Sequence, residues 1–448
     1  MKRDVPPFQT LLKLPVETAA ALHYKFRPSV GRLAQWESTC FTRKGSLVQS
    51  QQRPPFSIRA VKSAAVMKRL LAGLFHAAGA ALWRRRGRRA PTPENVRRIG
   101  ILHFHYLGDV FLATPAIAVL KRRFPNAVMD AVVKSRAREA LLGNPHLREI
   151  ICFDGLCNDR TREPRTDWRG LFALARRLRG CDLLVDFTGV PASCALAALA
   201  RPRWSVGFSR SGLGFVFDRE LRPVSQIPLV EKYNAVAALA GADAGGQMPA
   251  IYLENEIAGS VGVPPLGQGW GANPVSSTRG VYFTLSAGGT AAPPAYDILL
   301  HVGAGFPLKL WPVENFRAVA GHFRARSLRV ALVGGPSDPA EIVNLTVRQV
   351  AALARGCRVY VGLDTGLTHI VASLGVPTVA IYGPTNPRFL PRWPNERVVW
   401  TMLACSAAEN EQHCAAVPPM RCDFQHRCMR QLDVDRVIQE INQCLAAS

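Results

Sequence analysis

Two long stretches of the chain share one pattern of hydrophobic and polar positions. Within residues 97–240, short apolar runs typical of buried strands alternate with segments whose apolar residues recur at helical spacing. The first run, Arg98–Phe104, precedes a polar turn and then a helix that we expect Thr114 to cap and Pro115 to open. The same alternation restarts over residues 297–430. Strands that alternate with helices predict an α/β fold with two doubly wound domains.

The other segments lack this alternation. Residues 241–296 are rich in Gly, Pro and Ser, and we interpret them as a linker or insertion between the two domains. Residues 1–64 show neither helical nor strand spacing, so we expect a disordered or mis-annotated leader. Residues 65–96 predict a basic amphipathic helix, and residues 431–448 predict a final amphipathic helix.

The leader has two notable parts. Arg32–Pro55 resembles a translated tRNA gene, and we therefore expect the natural protein to start at Met67; an ordinary disordered tail is the alternative. Met67–Arg89 has one apolar helical face and ends in a dense block of arginines, which is the wrong flank for a signal peptide. This pattern favours a helix that lies on an anionic membrane surface, and packing on the protein itself is the alternative.

Charge and cysteine content narrow the function classes. The 448 residues carry a formal net charge of +24, and residues 1–99 hold 20 Lys and Arg against 4 Asp and Glu. A basic leader suggests nucleic acid or an anionic membrane, and because no nucleic-acid-binding motif is present we favour the membrane. The 11 cysteines are an odd number scattered through a large chain, which favours reduced thiols in the cytoplasm.

A cluster of polar residues separates two apolar runs in the second stretch. The run Val359–Val361, which ends in Gly362, predicts a strand. Asp364, Thr365 and Gly366 form a turn, and His369 lies on the first turn of the helix that follows. We refer to Asp364–Gly366 as the Asp364 turn. A helix N-terminus after a strand is a ready site for phosphate. The alternatives are that Asp364 only caps the helix and that His369 is a core histidine.

Three stretches together resemble glycosyltransferase family 9, the heptosyltransferases of lipopolysaccharide assembly. They are ILHFHYLGDVFLATPAIAVLKRRFP from Ile101, HVGAGFPLKLWPVENF from His301, and VGLDTGLTHIVASLGVPTVAIYGPTNP from Val361. No G-x-G-x-x-G, G-x-x-x-x-G-K-[ST] or G-x-S-x-G motif competes with this interpretation. The resemblance implies a GT-B architecture, in which two Rossmann-like domains face each other across a cleft and the C-terminal helix crosses back to the first.

The resemblance also implies a reaction. It is a metal-independent, inverting transfer of a heptose or related sugar from an ADP-activated donor to a lipopolysaccharide core or similar lipid-linked saccharide. The nucleotide sugar is then a substrate, no cofactor is needed, and the enzyme is expected on the cytoplasmic face of the inner membrane. Inversion requires a base that removes the acceptor proton as the new bond forms.

Particular residues match the family's motifs. Asp109, in a G-D turn after the first strand, is implied as the general base; a turn carboxylate that accepts backbone N–H groups is the alternative. Lys309 is implied as the cation for the donor diphosphate and could instead be a solvated surface lysine. Further residues are implied to bind the donor: Gly303, Ala304 and Gly305 (the Gly303 turn), Asp364, Thr365, Gly366 and His369.

The chain departs from the family in two places. His103 and Tyr106, with Gly108 on the acceptor side, stand where the family more often has a basic and a small polar residue, so the acceptor is expected to differ. The region after Gly334 is shorter than usual, and either Asp338 or Glu341 is left as the acidic ligand of the donor ribose.

The cysteines between residues 405 and 428, with His413 and His426 among them, have no C-x-x-C pair. They favour thiols over a structural zinc site, which stays the alternative. For the whole protein, three alternatives to the heptosyltransferase remain. They are a GT-B transferase of another hexose, a sugar-nucleotide epimerase, and a non-catalytic saccharide-binding module docked on a membrane.

Overall fold

The fold contains two parallel β-sheets, each covered by helices. The computed structural model describes residues 90–156, 166–208, 213–222, 227–243, 246–253, 262–263, 281–282, 296–401, 403, 422 and 425–447. The leader and the basic helix before residue 90 therefore lie outside the described residues, as does most of the segment 254–295.

The first half holds a six-stranded sheet in the order β3-β2-β1-β4-β5-β6, with every pair parallel. Because the strand order reverses between β1 and β4, the carboxyl ends of these strands border a crevice. The strands are β1 (Arg98–His103), β2 (Val128–Val133), β3 (Glu149–Cys152), β4 (Leu183–Asp186), β5 (Trp204–Phe208) and β6 (Arg219–Leu221). The helices are α1 (Leu107–Leu112), α2 (Thr114–Arg123), α3 (Trp168–Leu178), α4 (Pro191–Ala200) and α5 (Leu229–Ala238).

The second half holds a five-stranded parallel sheet in the order β10-β9-β11-β12-β13. A separate two-stranded antiparallel pair precedes it in the chain, β7 (Gly262–Val263) with β8 (Val281–Tyr282). The strands of the large sheet are β9 (Ile298–His301), β10 (Val330–Val333), β11 (Val359–Leu363), β12 (Thr378–Tyr382) and β13 (Glu396–Trp400). The helices are α6 (Val313–Arg324), α7 (Val347–Arg355), α8 (Gly366–Ser373), α9 (Arg427–Arg430) and α10 (Val434–Ala447).

The alternating pattern of the sequence therefore gives the expected α/β fold, with local corrections. Thr114 is not the cap of α2: it is the first helical residue, and its hydroxyl donates to the Phe111 carbonyl at 2.8 Å. The turn expected around Asp109 is instead the helix α1, because Leu107, Val110 and Phe111 have helical spacing and the last two are buried.

The final helix packs on the second half. The buried side chains of α10, which include Val437 and Ile441, belong to the apolar core of that half, and its main contacts are with α6 and strands β11 to β13. The resemblance implied a return to the first half. The helix stays on the second because its apolar face completes that core.

The two halves meet through α1 and α8. One buried apolar cluster contains residues of both, among them Val110 and Phe111 from α1 with Ile370 and Val371 from α8. The closest approach lies between two glycines: a Cβ added to Gly366 would lie 2.5 Å from the Gly108 nitrogen. No side chain fits there, so the absence of a Cβ at this point allows the backbones to touch.

In the part of the chain that the structure describes, no helix is long and apolar enough to cross a membrane.

Candidate functional site

Asp109 lies on the first turn of α1, directly after the carboxyl end of β1. Its side chain is half-buried, and its Oδ1 accepts a hydrogen bond from the Tyr233 hydroxyl at 3.2 Å. The helix α1 itself places the carboxylate at the crevice, because β1 borders the point where the strand order reverses. The neighbouring Gly108 faces the second half.

His103 and Tyr106 were expected on the acceptor side, and the structure places both beside Asp109. His103 is 2% exposed, and neither ring nitrogen has a hydrogen-bond partner among the described residues. Burial and the nearby His105 hold its pKa well below the ordinary value, so its ring is neutral at neutral pH. Tyr106 precedes α1, and its ring centroid lies 5.2 Å from that of Phe306 in the second half.

Lys309 and Asp364 form an ion pair in the second half. The Lys309 Nζ lies 2.5 Å from Oδ2 of Asp364 and donates to the Asp364 carbonyl at 3.2 Å. The two residues are 55 positions apart, and they meet because β9 and β11, which precede them, are neighbouring strands. Lys309 keeps a side-chain exposure of 18%, against 6% for Asp364. Thus the lysine side chain stays partly exposed while its carboxylate partner is buried.

His369 completes this group from the first turn of α8. Its Nε2 lies 3.7 Å from Oδ1 of Asp364, and its Nδ1 accepts a hydrogen bond from the Trp393 indole at 3.4 Å. Burial alone would raise the pKa of Asp364, but the Lys309 ammonium and His369 lower it far below its ordinary value. Asp364 therefore stays ionised and is held as a counter-ion.

Thr365, and not Asp364, caps α8. Its hydroxyl accepts the hydrogen bond of the Thr368 N–H at 3.4 Å, so the carboxylate of Asp364 is left for Lys309 and His369. The interpretation of Asp364 as a simple helix cap is therefore wrong. The N-terminal end of α8, which Thr365 caps, touches Gly108 in the first half.

The Gly303 turn follows β9 and lies beside Asp338. The Asp338 carboxylate is the nearest group to a Cβ added at Gly303, and its Oδ2 accepts the Gly335 N–H at 2.7 Å. Glu341 points elsewhere, since it binds Arg324 at 2.7 Å. Of the two acidic residues considered for the donor ribose, the structure brings Asp338 to the Gly303 turn.

The cysteine region is described only in part. Cys405, His413 and Cys414 lie outside the described residues, whereas Cys428 is buried in the second core and Cys422 accepts the His426 N–H at 3.3 Å. Within the described segments, no group of three His, Cys, Asp or Glu side chains is arranged to hold a metal ion.

Residues 290–417 match the model of glycosyltransferase family 9 (heptosyltransferase). Lipopolysaccharide heptosyltransferase 1 of Pseudomonas aeruginosa is 25% identical over 312 residues, which cover 65% of this chain and 80% of that protein. Both matches bear out the resemblance of the three stretches to glycosyltransferase family 9. The chain is a glycosyltransferase, as that resemblance implied.

Solved structures of the family have the same fold. The family 9 glycosyl transferase of Veillonella parvula aligns with a TM-score of 0.61 at 20% identity, covering 81% of this chain and 100% of that one. The E. coli ADP-heptose LPS heptosyltransferase II aligns with a TM-score of 0.55 at 19% identity, covering 78% and 99%. The expected GT-B architecture with two Rossmann-like halves is confirmed.

Two residues of the site were missed from the sequence. Tyr233 contacts Asp109 from α5, and Trp393 connects the halves, since it donates to His369 and stacks on Phe111 with ring centroids 6.3 Å apart. Both are aromatic residues in apolar surroundings and therefore resemble ordinary core positions. The motif VEKYNAV around Tyr233, one of the weaker similarities to the family, was the available signal.

Proposed function

We propose that this glycosyltransferase moves a heptose from an ADP-activated donor to a lipopolysaccharide core or a similar lipid-linked saccharide, with inversion at the anomeric carbon. One observation carries this proposal. Gly108 and Gly366 touch, so Asp109 in the first half and the Asp364 turn in the second lie next to the same contact between the halves. A base and a cationic donor site on opposite walls suit a single in-line displacement.

Asp109 is assigned as the general base. It is a half-buried carboxylate on α1, after the carboxyl end of β1, and its one described hydrogen bond comes from a neutral phenol and not from a cation. Gly108, His103 and Tyr106 form the wall beside it and are assigned to the acceptor side.

Lys309 is assigned to the leaving diphosphate. Its ammonium has three N–H donors, and Asp364 engages it from behind while 18% of the side chain stays exposed. The Gly303 turn, Thr365, Gly366 and His369 are assigned to the rest of the donor site, because backbone N–H groups after a strand and at a helix N-terminus favour phosphate oxygens. Asp364 then acts through Lys309 and His369, which it orients.

The identity of the donor, ADP-heptose, is supported by the names of the relatives. One is a lipopolysaccharide heptosyltransferase, and one solved structure is named for ADP-heptose. Incubation of the protein with an LPS core acceptor and ADP-heptose, or with UDP- and GDP-hexoses, followed by mass spectrometry tests it. We expect a mass increase of one heptose with ADP-heptose alone. Transfer from a UDP- or GDP-hexose would show that the enzyme transfers a hexose and not a heptose. Epimerised donor without transfer would indicate an epimerase.

We also propose that residues 65–96 bring the enzyme to the cytoplasmic face of the inner membrane. The basis is the apolar face of Met67–Arg89 and its arginine block. Sedimentation with anionic liposomes should capture residues 67–448 and leave residues 95–448 in the supernatant. Equal partitioning of the two forms would contradict this anchor.

A further inference from the structure

The hydroxyl of Tyr233 reaches Asp109 from a distant part of the first half. The two residues are 124 positions apart, and the phenol oxygen lies 3.2 Å from Oδ1 of the carboxylate. Tyr233 is 0% exposed, whereas Asp109 is half-buried at the cleft. Since an ionised carboxylate only accepts hydrogen bonds, the phenol is the donor. Within the described residues, this is the one hydrogen bond to the side chain of Asp109.

Aromatic packing fixes the direction of the phenol. The Tyr233 ring has Phe187 at its edge, with centroids 5.6 Å apart, and His103 on another side at 5.0 Å. All three rings are buried. Helix α5, which carries Tyr233, packs on both α1 and α2 and so cannot shift independently of Asp109.

We propose that Tyr233 is the positioning residue of Asp109: it occupies Oδ1 and turns Oδ2 toward the acceptor hydroxyl. This inference rests on the proposed function, in which Asp109 is the base. In that step the acceptor O–H bond breaks and its proton goes to Oδ2. The acceptor oxygen bonds to the anomeric carbon, and the bond from that carbon to the diphosphate breaks with its electron pair on the leaving nucleoside diphosphate.

Tyr233→Phe tests the proposal, because it removes the hydroxyl and keeps the ring. We expect kcat to fall by roughly tenfold, the range for a hydrogen bond to a charged group. The effect should fall on kcat and leave the KM for the donor unchanged, because Tyr233 contacts the carboxylate of the first half and not the donor site of the second. The matched control is Tyr296→Phe, a buried phenol before β9 at the opposite end of the second sheet, which should change neither quantity.

A second measurement does not depend on the donor sugar. In full-length protein with ¹³C-labelled aspartate carboxyls, Asp109→Asn identifies the Asp109 signal, and its chemical shift reports the hydrogen bond from Tyr233. We expect this chemical shift to change in Tyr233→Phe and to match the wild type in Tyr296→Phe. An unchanged chemical shift, or a kcat that does not fall, would overturn the role of Tyr233.

The double variant Asp109→Asn with Tyr233→Phe distinguishes failure of the positioning role of Tyr233 from failure of the assignment of Asp109 as base. If Tyr233 acts through Asp109, Tyr233→Phe should have no further effect on kcat in an Asp109→Asn background. An active Asp109→Asn enzyme would refute the base itself. An inactive Asp109→Asn enzyme with an unaffected Tyr233→Phe enzyme would refute only the positioning role.

Discussion

The candidate site has one carboxylate from each half, each located after a parallel strand, and the two have opposite surroundings. Asp109 follows β1, is half-buried and receives a hydrogen bond from a neutral phenol. Asp364 follows β11, is 6% exposed and lies between an ammonium and an imidazole. Because a paired cation stabilises the charged form, Asp364 is kept from taking a proton. The two residues are of the same type and differ in their partners, and on that difference Asp109 is proposed as the base and Asp364 as the counter-ion.

Substitution of Asp109, the proposed base, should have the largest effect. Asp109→Asn should lower kcat by about 100-fold or more while donor affinity changes little, because the amide cannot take the acceptor proton. Steady-state transfer rates and calorimetric titration with ADP measure the two quantities. Asp154→Asn, an exposed carboxylate just after β3 that accepts the Ser135 N–H, is the control and should keep wild-type turnover. A turnover near wild type in Asp109→Asn would remove the proposed mechanism.

Removal of the cation tests the other carboxylate. Lys309→Met should weaken ADP binding and lower the free energy of unfolding by about 2 kcal/mol at pH 7, because Asp364 is left as a buried charge without its cation. The pKa of Asp364 in the folded wild type is depressed. Its contribution is therefore fully present above the unfolded value of about 3.9 and is lost as pH falls below it.

Urea unfolding at pH 7 and at about pH 4 would measure this difference, which should narrow at the lower pH. The variant's own Asp364 can protonate there, which relieves the buried charge. A difference that is constant with pH would show that Lys309 contributes by packing alone.

The contact that aligns the two carboxylates can be altered by one methyl group. In Gly366→Ala the Cβ would lie 2.5 Å from the nitrogen and 2.7 Å from the Cα of Gly108, so the halves must separate. We expect roughly tenfold slower transfer and a loss of about 1 kcal/mol in stability, as for other overpacked sites. Gly321→Ala is the matched control in helix α6, where a Cβ meets nothing within 4 Å, and should be neutral. Equal rates in the two variants would contradict the alignment.

A smaller effect should come from Trp393→Phe. The phenyl ring keeps an apolar contact with Phe111 but no longer donates to Nδ1 of His369. We expect a two- to threefold higher KM for the donor, in line with roughly 0.5 kcal/mol for a long neutral hydrogen bond. An unchanged KM would mean that Asp364 alone orients His369.

The sequence predicted the α/β fold and its strand-linked motifs, because apolar runs and glycine turns are local signals. It could not show that Lys309 contacts Asp364, since that pairing follows from the adjacency of β9 and β11, which is a tertiary property. The helix around Asp109 was missed because Gly108 and Asp109 are typical turn residues, although Leu107, Val110 and Phe111 have helical spacing.

Tyr233 illustrates a different limit. Its spacing on α5 is that of a core residue, and it is indeed buried. The sequence pattern therefore predicted a core position and gave no sign of the hydrogen bond to Asp109. The domain limits at 64, 96, 240, 296 and 430 stay predictions, as do the roles of the cysteines and of the basic helix.

The meeting of Gly108 with Gly366 also bears on how such an enzyme can change its substrate over time. Since main chain touches main chain there, the closest approach of the two halves does not depend on the side chain of either residue. Side chains elsewhere on the wall proposed for the acceptor can therefore vary without moving this contact. An enzyme built this way can acquire a new acceptor by such changes, although His103, which packs on Tyr233, is less free to vary.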